Sequence, residues 1–271
     1  MKVASPSARS LVTNFAKDSE ALVEGLASYI EEPAEERVHE IRAVIRRIVA
    51  SYKTIPKSVR KEKKLREYVN LCKKFYRANA SIRDIDILIA KLQDEGGLPK
   101  NDPLIVALAK KRRRGLATAV SLAESLKALG LPRLDAAEIR ENRLKSRYRS
   151  LLDQLIDQLK EEIPVVLSDV NRVRELHEVR KKFKELRYIL QLSPDQSTLA
   201  PILKELTMLH DLLGSIHDDD VIMEYLKKAE NSGRAEVKAR VMSHRTENYE
   251  RFVQKNKDML VSERSFLRTL R

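Results

Sequence analysis

Long stretches without glycine or proline constrain the fold of this chain more than any other feature of its sequence. The 271 residues contain 7 glycines and 9 prolines, whereas ordinary proteins use these two residues at about 12%. The chain therefore has few places at which it can reverse, and apolar residues recur at helical spacing between them. Aromatic side chains, at 5% of residues, are also too sparse for a strand-rich core. The sequence predicts an all-α fold.

Helix-breaking residues and candidate N-caps divide the chain into eight predicted helices. Their ranges are about 6–31, 34–53, 58–97, 103–130, 135–164, 168–192, 197–231 and 234 to near the C-terminus. The expected N-terminal signals are Ser58, Asp102, a capping box at Asp135 and Glu138, Ser168 or Asp169, and Ser197 or Thr198. The break at Gly130–Pro132 separates two halves, residues 1–131 and 132–271, which we expect to pack together.

A large excess of basic residues predicts an anionic partner. The chain carries 53 Lys and Arg against 40 Asp and Glu, a net charge of +13, so the candidates are nucleic acid, an anionic membrane surface and a phosphate polymer. The sequence contains neither the apolar run of a signal peptide nor one that could span a membrane. The single cysteine, Cys72, fits a reducing compartment. These features predict a cytoplasmic protein without membrane insertion.

Two short motifs recur in the second half of the chain. VHEIR at residues 38–42 reappears as LHEVR at residues 176–180. SIRDID at residues 81–86 matches SIHDDD at residues 215–220, in the same order along the chain and at nearly the same separation. Because the motifs occupy corresponding helices in the two halves, the sequence predicts an internal duplication into two pseudo-symmetric four-helix bundles.

The helical wheel places a basic stripe beside the apolar stripe of one helix in each half. The expected core residues are Val38, Ile41, Ile45, Ile48 and Tyr52, and in the second half Leu176, Val179, Phe183, Leu186 and Leu190. One residue further along lie His39, Arg42, Arg46, Val49 and Lys53, and correspondingly His177, Arg180, Lys184, Arg187 and Gln191. Eight of these ten side chains are basic and none is acidic. An ordinary solvated face would mix signs, since like charges four residues apart destabilise a helix by about 0.2–0.5 kcal/mol.

Two interpretations of these stripes stay open at this point. They are either solvated basic faces beside the core or the walls of a groove, between or along the halves, that binds an anionic chain. We favour the groove, because Arg forks and Lys point charges are what a chain of phosphates requires. The stripes contain no aromatic residue, whereas readers of single-stranded nucleic acid interleave aromatic rings for base stacking. The pattern favours a bare phosphate chain over RNA.

Four motifs carry a resemblance to a known family. They are His39-x-x-Arg42-x-x-x-Arg46-Arg47, residues 82–86, His177-x-x-Arg180-x-x-x-Lys184-x-x-Arg187-Tyr188, and Leu212-Leu213-Gly214 leading to Asp218. In this order, over roughly residues 5–268, the sequence resembles the conserved histidine α-helical domain (CHAD) family. The resemblance implies two pseudo-symmetric four-helix bundles with a central basic pore or groove that binds inorganic polyphosphate. Carried over by position, it implies that the phosphate-binding residues are His39, Arg42, Arg46, Arg47, His177, Arg180, Lys184 and Arg187.

Departures from the family pattern refine that expectation. The stretch IHDDD at residues 216–220 is more polar than is usual in the family. Val49 occupies a position that is often basic in the family. The Glu-x-Glu-x-Lys strand of the triphosphate-tunnel domain to which many members are fused does not occur here. We therefore expect a standalone binding module.

Further residues extend the predicted site. Lys53 continues the first stripe, and His217 is interpreted as a donor to phosphate that titrates near the ordinary histidine pKa of about 6.5. A metal site at His210 and His217 is the alternative, which their spacing along the helix fits poorly. The residues expected at the rim are Lys110, Arg114, Arg83 and His210. Lys110 and Arg114 also fit a solvated face.

The acidic residues near the second motif are interpreted as structural. We expect Asp84, Asp86, Asp218 and Asp220 to hold neighbouring Arg or His side chains or to be solvated, in preference to acting as paired catalytic carboxylates. No nucleophile motif, P-loop or dinucleotide fingerprint occurs in the sequence. We therefore predict no enzyme activity, no cofactor and no metal.

The combined prediction is a cytoplasmic, non-enzymatic module that binds inorganic polyphosphate, either free or associated with polyphosphate granules. The alternative is a structural or adaptor protein that docks an acidic protein or a nucleic-acid backbone through the same stripes. Nucleic acid is thus second to polyphosphate as the expected partner.

Overall fold

The computed structural model describes residues 3–94, 97–228, 235–261 and 266–270, and all regular structure in these ranges is helical. The all-α prediction is therefore confirmed. The helices are α1 (Ala8–Glu31), α2 (Glu35–Thr54), α3 (Lys57–Arg60), α4 (Lys63–Asp94), α5 (Pro103–Leu129), α6 (Glu141–Ser168), α7 (Val173–Leu190), α8 (Gln196–Lys228), α9 (Ala235–Val261) and α10 (Phe266–Thr269), with a 3-10 turn at Ala136–Glu138. None of these helices combines the length and the apolar character needed to cross a membrane.

Local capping explains where several helices begin. Asp102 caps α5 as predicted, because its side chain accepts a hydrogen bond from the backbone N–H of Leu104 at 2.8 Å. Gly130 ends the same helix with φ of 66°, a left-handed conformation that favours glycine. Helix α8 begins at Gln196, so the predicted caps Ser197 and Thr198 lie inside its first turn and that prediction is wrong. The predicted boundaries at Asn231 and Arg234 lie outside the described residues.

The predicted cap at Ser58 is wrong. Ser58 lies inside the short helix α3, and the carboxylate of Glu62 caps α4 instead. It accepts hydrogen bonds from the backbone N–H groups of Lys64 and Leu65, and these bonds lower the pKa of Glu62. A carboxylate at a helix N-terminus is also favoured by the helix dipole.

Two other predicted helix starts are displaced. Asp135 accepts from the backbone N–H of Ala137 at 2.9 Å, but this bond opens only a 3-10 turn, because the chain is extended at the buried Ile139. Asp169 likewise accepts from the N–H of Asn171 at 2.8 Å, which forms a turn ahead of the start of α7 at Val173. In both places the acidic side chain stabilises a turn that precedes the helix.

The predicted end of one helix at Pro164 is also wrong, since α6 continues through Pro164 to Ser168. Proline removes one backbone hydrogen bond within a helix. Ile163 and Val166 on either side are 1% and 0% exposed, so burial of both flanks keeps this segment helical.

The helices form two compact units, Pro6–Arg147 and Tyr148–Arg271 with Met1–Ser5, whose boundary falls within α6. In the first unit α1 packs on α2, α2 on α4, α4 on α5, and α5 back on α1. In the second unit α8 packs on both α7 and α9. The beginning of α6 belongs to the first unit and the remainder to the second.

The predicted apolar stripes form the core of each unit. Val38, Ile41, Ile45 and Ile48 of α2 are at most 3% exposed, and the five expected residues of α7 are equally buried. Tyr52, the last residue of the α2 stripe, is half-buried instead. The phase of each helix is thus set by apolar burial, which fixes the direction in which the neighbouring basic stripe points.

Replacing Ile45 by Ala should lower the free energy of unfolding by about 2–5 kcal/mol, because it leaves a cavity in the first unit. Val106→Ala is the control, since Val106 of α5 is 52% exposed and its truncation should change stability by less than about 0.5 kcal/mol. Calorimetric unfolding measures both changes. Equal effects of the two substitutions would contradict the assignment of the α2 core.

Candidate functional site

The basic stripe of α2 lies beside the buried stripe, and its central arginines are held by α4. The Nη1 group of Arg42 donates to the backbone oxygen of Asn79 at 3.0 Å. The guanidinium carbons of Arg42 and Arg46 lie 4.9 and 5.7 Å from the ring centroid of Tyr76, within cation–π distance. Arg42 and Arg46, two like charges one helical turn apart, therefore both make cation–π contacts with a single ring on the neighbouring helix.

Asn79 links this contact to the core. It is fully buried, its side-chain oxygen accepts from the hydroxyl of Tyr29 at 2.8 Å, and its amide donates to the backbone oxygen of Phe75 at 3.0 Å. Its side chain thus forms hydrogen bonds within the core, while its backbone oxygen accepts a hydrogen bond from Arg42. The position of the Arg42 guanidinium is therefore set by a rigid part of the fold.

The other predicted residues of the first unit have different environments. His39 is exposed near the start of α2 and Lys53 is half-buried near its end. Arg47 is paired with Asp18 of α1 at 2.6 Å, while burial raises the pKa of Asp18 and Arg47 opposes that rise. Arg83 is paired with Glu35. Arg47 and Arg83 are thus engaged by carboxylates, whereas Arg42 and Arg46 lie on the ring of Tyr76.

The arginines of the basic stripe of α7 also contact the neighbouring helix, α8. The guanidinium of Arg180 lies against Gly214, where an added Cβ would be 3.8 Å from both Nε and Nη2. Arg187 donates from Nη1 to the hydroxyl of Thr207 and from Nη2 to that of Tyr188, both at 3.3 Å. Both arginines are half-buried, as is Lys184 between them. The structure thus brings the predicted cations of α7 together on one face.

His177 and His217 form a close pair at the start of this stripe. Their Nδ1 atoms are 3.1 Å apart and their ring centroids 4.3 Å apart. Burial lowers the pKa of His217 to about 3, assisted by Arg180, His177 and Lys184. Burial, with Lys181 and Arg180, also lowers the pKa of His177. Near neutral pH one neutral ring donates to the other, so the expectation of ordinary histidine titration at His217 is wrong.

The remaining predicted residues are exposed or pair with an acid. Lys110 and Arg114 are exposed on α5, and the ring of His210 contacts the carboxylate of its neighbour Asp211 at 3.1 Å. In the part of the chain that the structure describes, no three His, Cys, Asp or Glu side chains are placed to hold a metal ion together.

Two of the predicted structural aspartates each hold an arginine of the following helix. Asp86 of α4 pairs with Arg112 of α5 at 2.5 Å, and Asp220 of α8 pairs with Arg245 of α9. Burial raises the pKa of Asp220, and Arg245 opposes that rise. The interpretation of Asp86 and Asp220 as carboxylates that position an arginine is confirmed.

Two contacts between helices cannot be identified from the sequence. The spacing of Tyr76 predicts a core position with Leu65, Val69 and Cys72, yet Tyr76 is half-buried and supports Arg42 and Arg46. In the second unit His244 of α9 lies 2.8 Å from the carboxylate of Asp219, which is completely buried. The support that Tyr76 gives to a basic stripe on another helix depends on the packing of α2 on α4, which helical spacing does not reveal.

The fold and these clusters define an all-helical protein with arginine-centred cationic surfaces on α2 and α7. A family model for the CHAD domain matches residues 14–266, so the chain belongs to the CHAD family. It is similar to the crystal structure of the CHAD domain from the plant Ricinus communis, with a TM-score of 0.59 and 18% sequence identity over 100% of this chain and 95% of that chain. At this identity the similarity shows the fold. No protein with a curated description matches the chain.

The histidine pair predicts a specific dependence on pH. The folded chain disfavours the charged form of His217, so its contribution to stability is complete above the unfolded pKa of about 6.5 and declines as pH falls towards 3. NMR of the imidazole resonances should show a neutral His217 at pH 6. Replacing Arg180 by Gln should raise the pKa of His217, since a nearby positive charge is removed. Titration of His217 near pH 6.5 in the native chain would contradict this assignment.

Proposed function

We propose that this protein binds inorganic polyphosphate and that the basic stripes of α2 and α7 hold its phosphate groups. The observation that carries the proposal is the placement of Arg42 and Arg46 on one ring of α4, and of Arg180 against Gly214 of α8. In both stripes the central arginines contact a neighbouring helix before any ligand arrives. Preorganised cations bind an anion with less loss of side-chain entropy than freely rotating ones.

An internal duplication supports equivalent roles for the two stripes. Arg42 and Arg180 occupy the same place in the repeated motif, and each contacts the third long helix of its own unit. The ion pairs Asp86–Arg112 and Asp220–Arg245 also recur on corresponding helices. We infer that the units are pseudo-symmetric four-helix bundles. One contains α1, α2, α4 and α5, and the other contains most of α6 with α7, α8 and α9.

The chemistry of the stripes favours a ligand made of charged oxygens. Guanidinium groups donate in a planar fork that matches phosphate oxygens, and charge-assisted hydrogen bonds are the stronger kind. Because Arg42 and Arg46 already lie at the ring of Tyr76, that ring is not offered to a stacking base. These features support a bare phosphate chain over single-stranded RNA.

The length of the α2 stripe supports an extended ligand. A helix rises about 1.5 Å per residue, so the stretch from His39 to Lys53 is about 21 Å long. This length exceeds the reach of a few linked phosphates. Membership of the CHAD family supports the same class of ligand, because the family resemblance implies polyphosphate binding.

The proposal describes binding without catalysis, in the cytoplasm. One carboxylate of each candidate catalytic pair is engaged by an arginine, namely Asp86 and Asp220. The free thiol of Cys72 is buried, and burial raises its pKa to about 12, so it is a core side chain in this account.

Replacing Arg42 and Arg180 together by Ala should reduce affinity for long-chain polyphosphate on the order of 100-fold, because two charge-assisted contacts are lost. The matched control is the double replacement of Lys111 and Arg113 by Ala, which removes two exposed charges from α5 and should change affinity by less than about threefold. Arg112 is unsuitable as a control because it holds Asp86. Calorimetric titration compares the variants, and equal losses would refute a defined site.

A further inference from the structure

The two basic stripes differ at one position. When LHEVR of α7 is aligned with VHEIR of α2, Arg187 corresponds to Val49, so the first unit lacks a cation at that point of its stripe. On the helices that pack against these stripes, α4 and α8, it is the first unit that has the additional cation. When SIHDDD of α8 is aligned with SIRDID of α4, Thr207 corresponds to Lys73. Each unit thus has one basic residue within this pair of positions, but on a different helix.

The second unit shows that the two positions are adjacent in space. Arg187 donates from Nη1 to the hydroxyl of Thr207 at 3.3 Å, across the packing of α7 on α8. A side chain at the position of Thr207 therefore reaches the basic stripe of the preceding helix. By the repeat, a side chain at Lys73 is placed to reach the stripe of α2.

The first unit contains the contact expected from this placement. The ammonium group of Lys73 lies 5.6 Å from the ring centroid of Tyr52, which is on α2. Tyr52 lies about one helical turn beyond Val49 on α2. Lys73 is half-buried, and α2 packs on α4. Its ammonium group thus lies on a ring at the end of the apolar stripe of α2, near the position where the basic stripe has Val49. The guanidinium carbon of Arg60 lies 5.7 Å from the same ring centroid.

We propose that Lys73 is a phosphate-binding residue that supplies, from α4, the charge that Arg187 supplies from α7. The proposal rests on the proposed binding of polyphosphate. It adds to the α2 stripe a phosphate-binding residue that helical periodicity within α2 cannot reveal, because Lys73 belongs to another helix. A lysine also contacts phosphate as a point charge, whereas Arg187 can use a fork.

The test moves the charge between helices. Replacing Lys73 by Thr copies the second unit and should weaken binding of long-chain polyphosphate about tenfold, because one charged contact is lost. The double variant V49R/K73T then places the cation where the second unit has it and should restore affinity to within about threefold of the native chain. Lys73→Arg, which keeps the charge, should also bind within about threefold.

The salt dependence separates a contact with phosphate from a purely structural role. Each neutralised phosphate releases counterions, so Lys73→Thr should reduce the slope of log affinity against log salt by roughly 0.7–0.9, and V49R/K73T should recover it. Lys74→Thr is the matched control, since Lys74 is the exposed neighbour on α4 and should leave affinity and slope unchanged. Thermal unfolding of each variant shows whether it is folded.

The outcomes distinguish this proposal from the function on which it rests. Loss of binding in Lys73→Thr with recovery in V49R/K73T supports the relocated charge. If the native chain binds and Lys73→Thr binds equally well with an unchanged salt slope, the role of Lys73 is overturned and the proposed function stands. If V49R/K73T does not fold, loss in Lys73→Thr against retention in Lys73→Arg decides in favour of the proposal. A native chain that does not bind polyphosphate overturns both.

Discussion

Repulsion between cations that lie on one face of a helix is the constraint on which the site depends. Arg42 and Arg46 are one turn apart on α2, and Arg180 and Lys184 repeat that arrangement on α7. Such pairs destabilise an isolated helix. Here the ring of Tyr76 and the backbone oxygen of Asn79 hold Arg42 and Arg46 in place, and Arg180 lies against Gly214. The buried stripe on the adjacent face keeps each helix formed, and an anionic ligand would relieve the remaining repulsion.

In the second unit, burial as well as repulsion by neighbouring cations acts on two histidines. His177 and His217 lie beside Arg180, and burial lowers the pKa of both rings. The pair therefore adds hydrogen-bonding groups to the surface near neutral pH without adding charge. At the position of His217 the first unit has Arg83, which is paired with Glu35. The two units thus share the central arginines and differ in the residue at the position of His217.

Features that depend on the spacing of residues within one helix could be predicted from the sequence. The all-α fold, the phase of α2 and α7 and the burial of Ile41 and Phe183 follow from apolar periodicity, which the structure confirms. Helix boundaries are less predictable, because Pro164 lies inside a helix whose flanks are buried and Asp135 stabilises a turn.

Features that depend on a second helix could not be predicted in this way. Tyr76 has the spacing of a core residue on α4, and only the packing of α4 on α2 shows that it supports two arginines. The pairing of Arg47 with Asp18 and the position of Lys73 are likewise set by neighbouring helices. The lowered pKa of His217 requires both burial and the charges of α7, neither of which appears in the spacing of histidines along α8.

The most direct test of the central claim is calorimetric titration with long-chain polyphosphate at physiological salt, with tripolyphosphate and a single-stranded RNA of matched charge as competitors. An extended stripe of fixed cations predicts tight binding of the long chain, weak displacement by tripolyphosphate and weak displacement by RNA. Equal binding of RNA would contradict a site specific for a bare phosphate chain. Failure to bind the long chain would contradict the account as a whole and direct attention to an acidic protein partner.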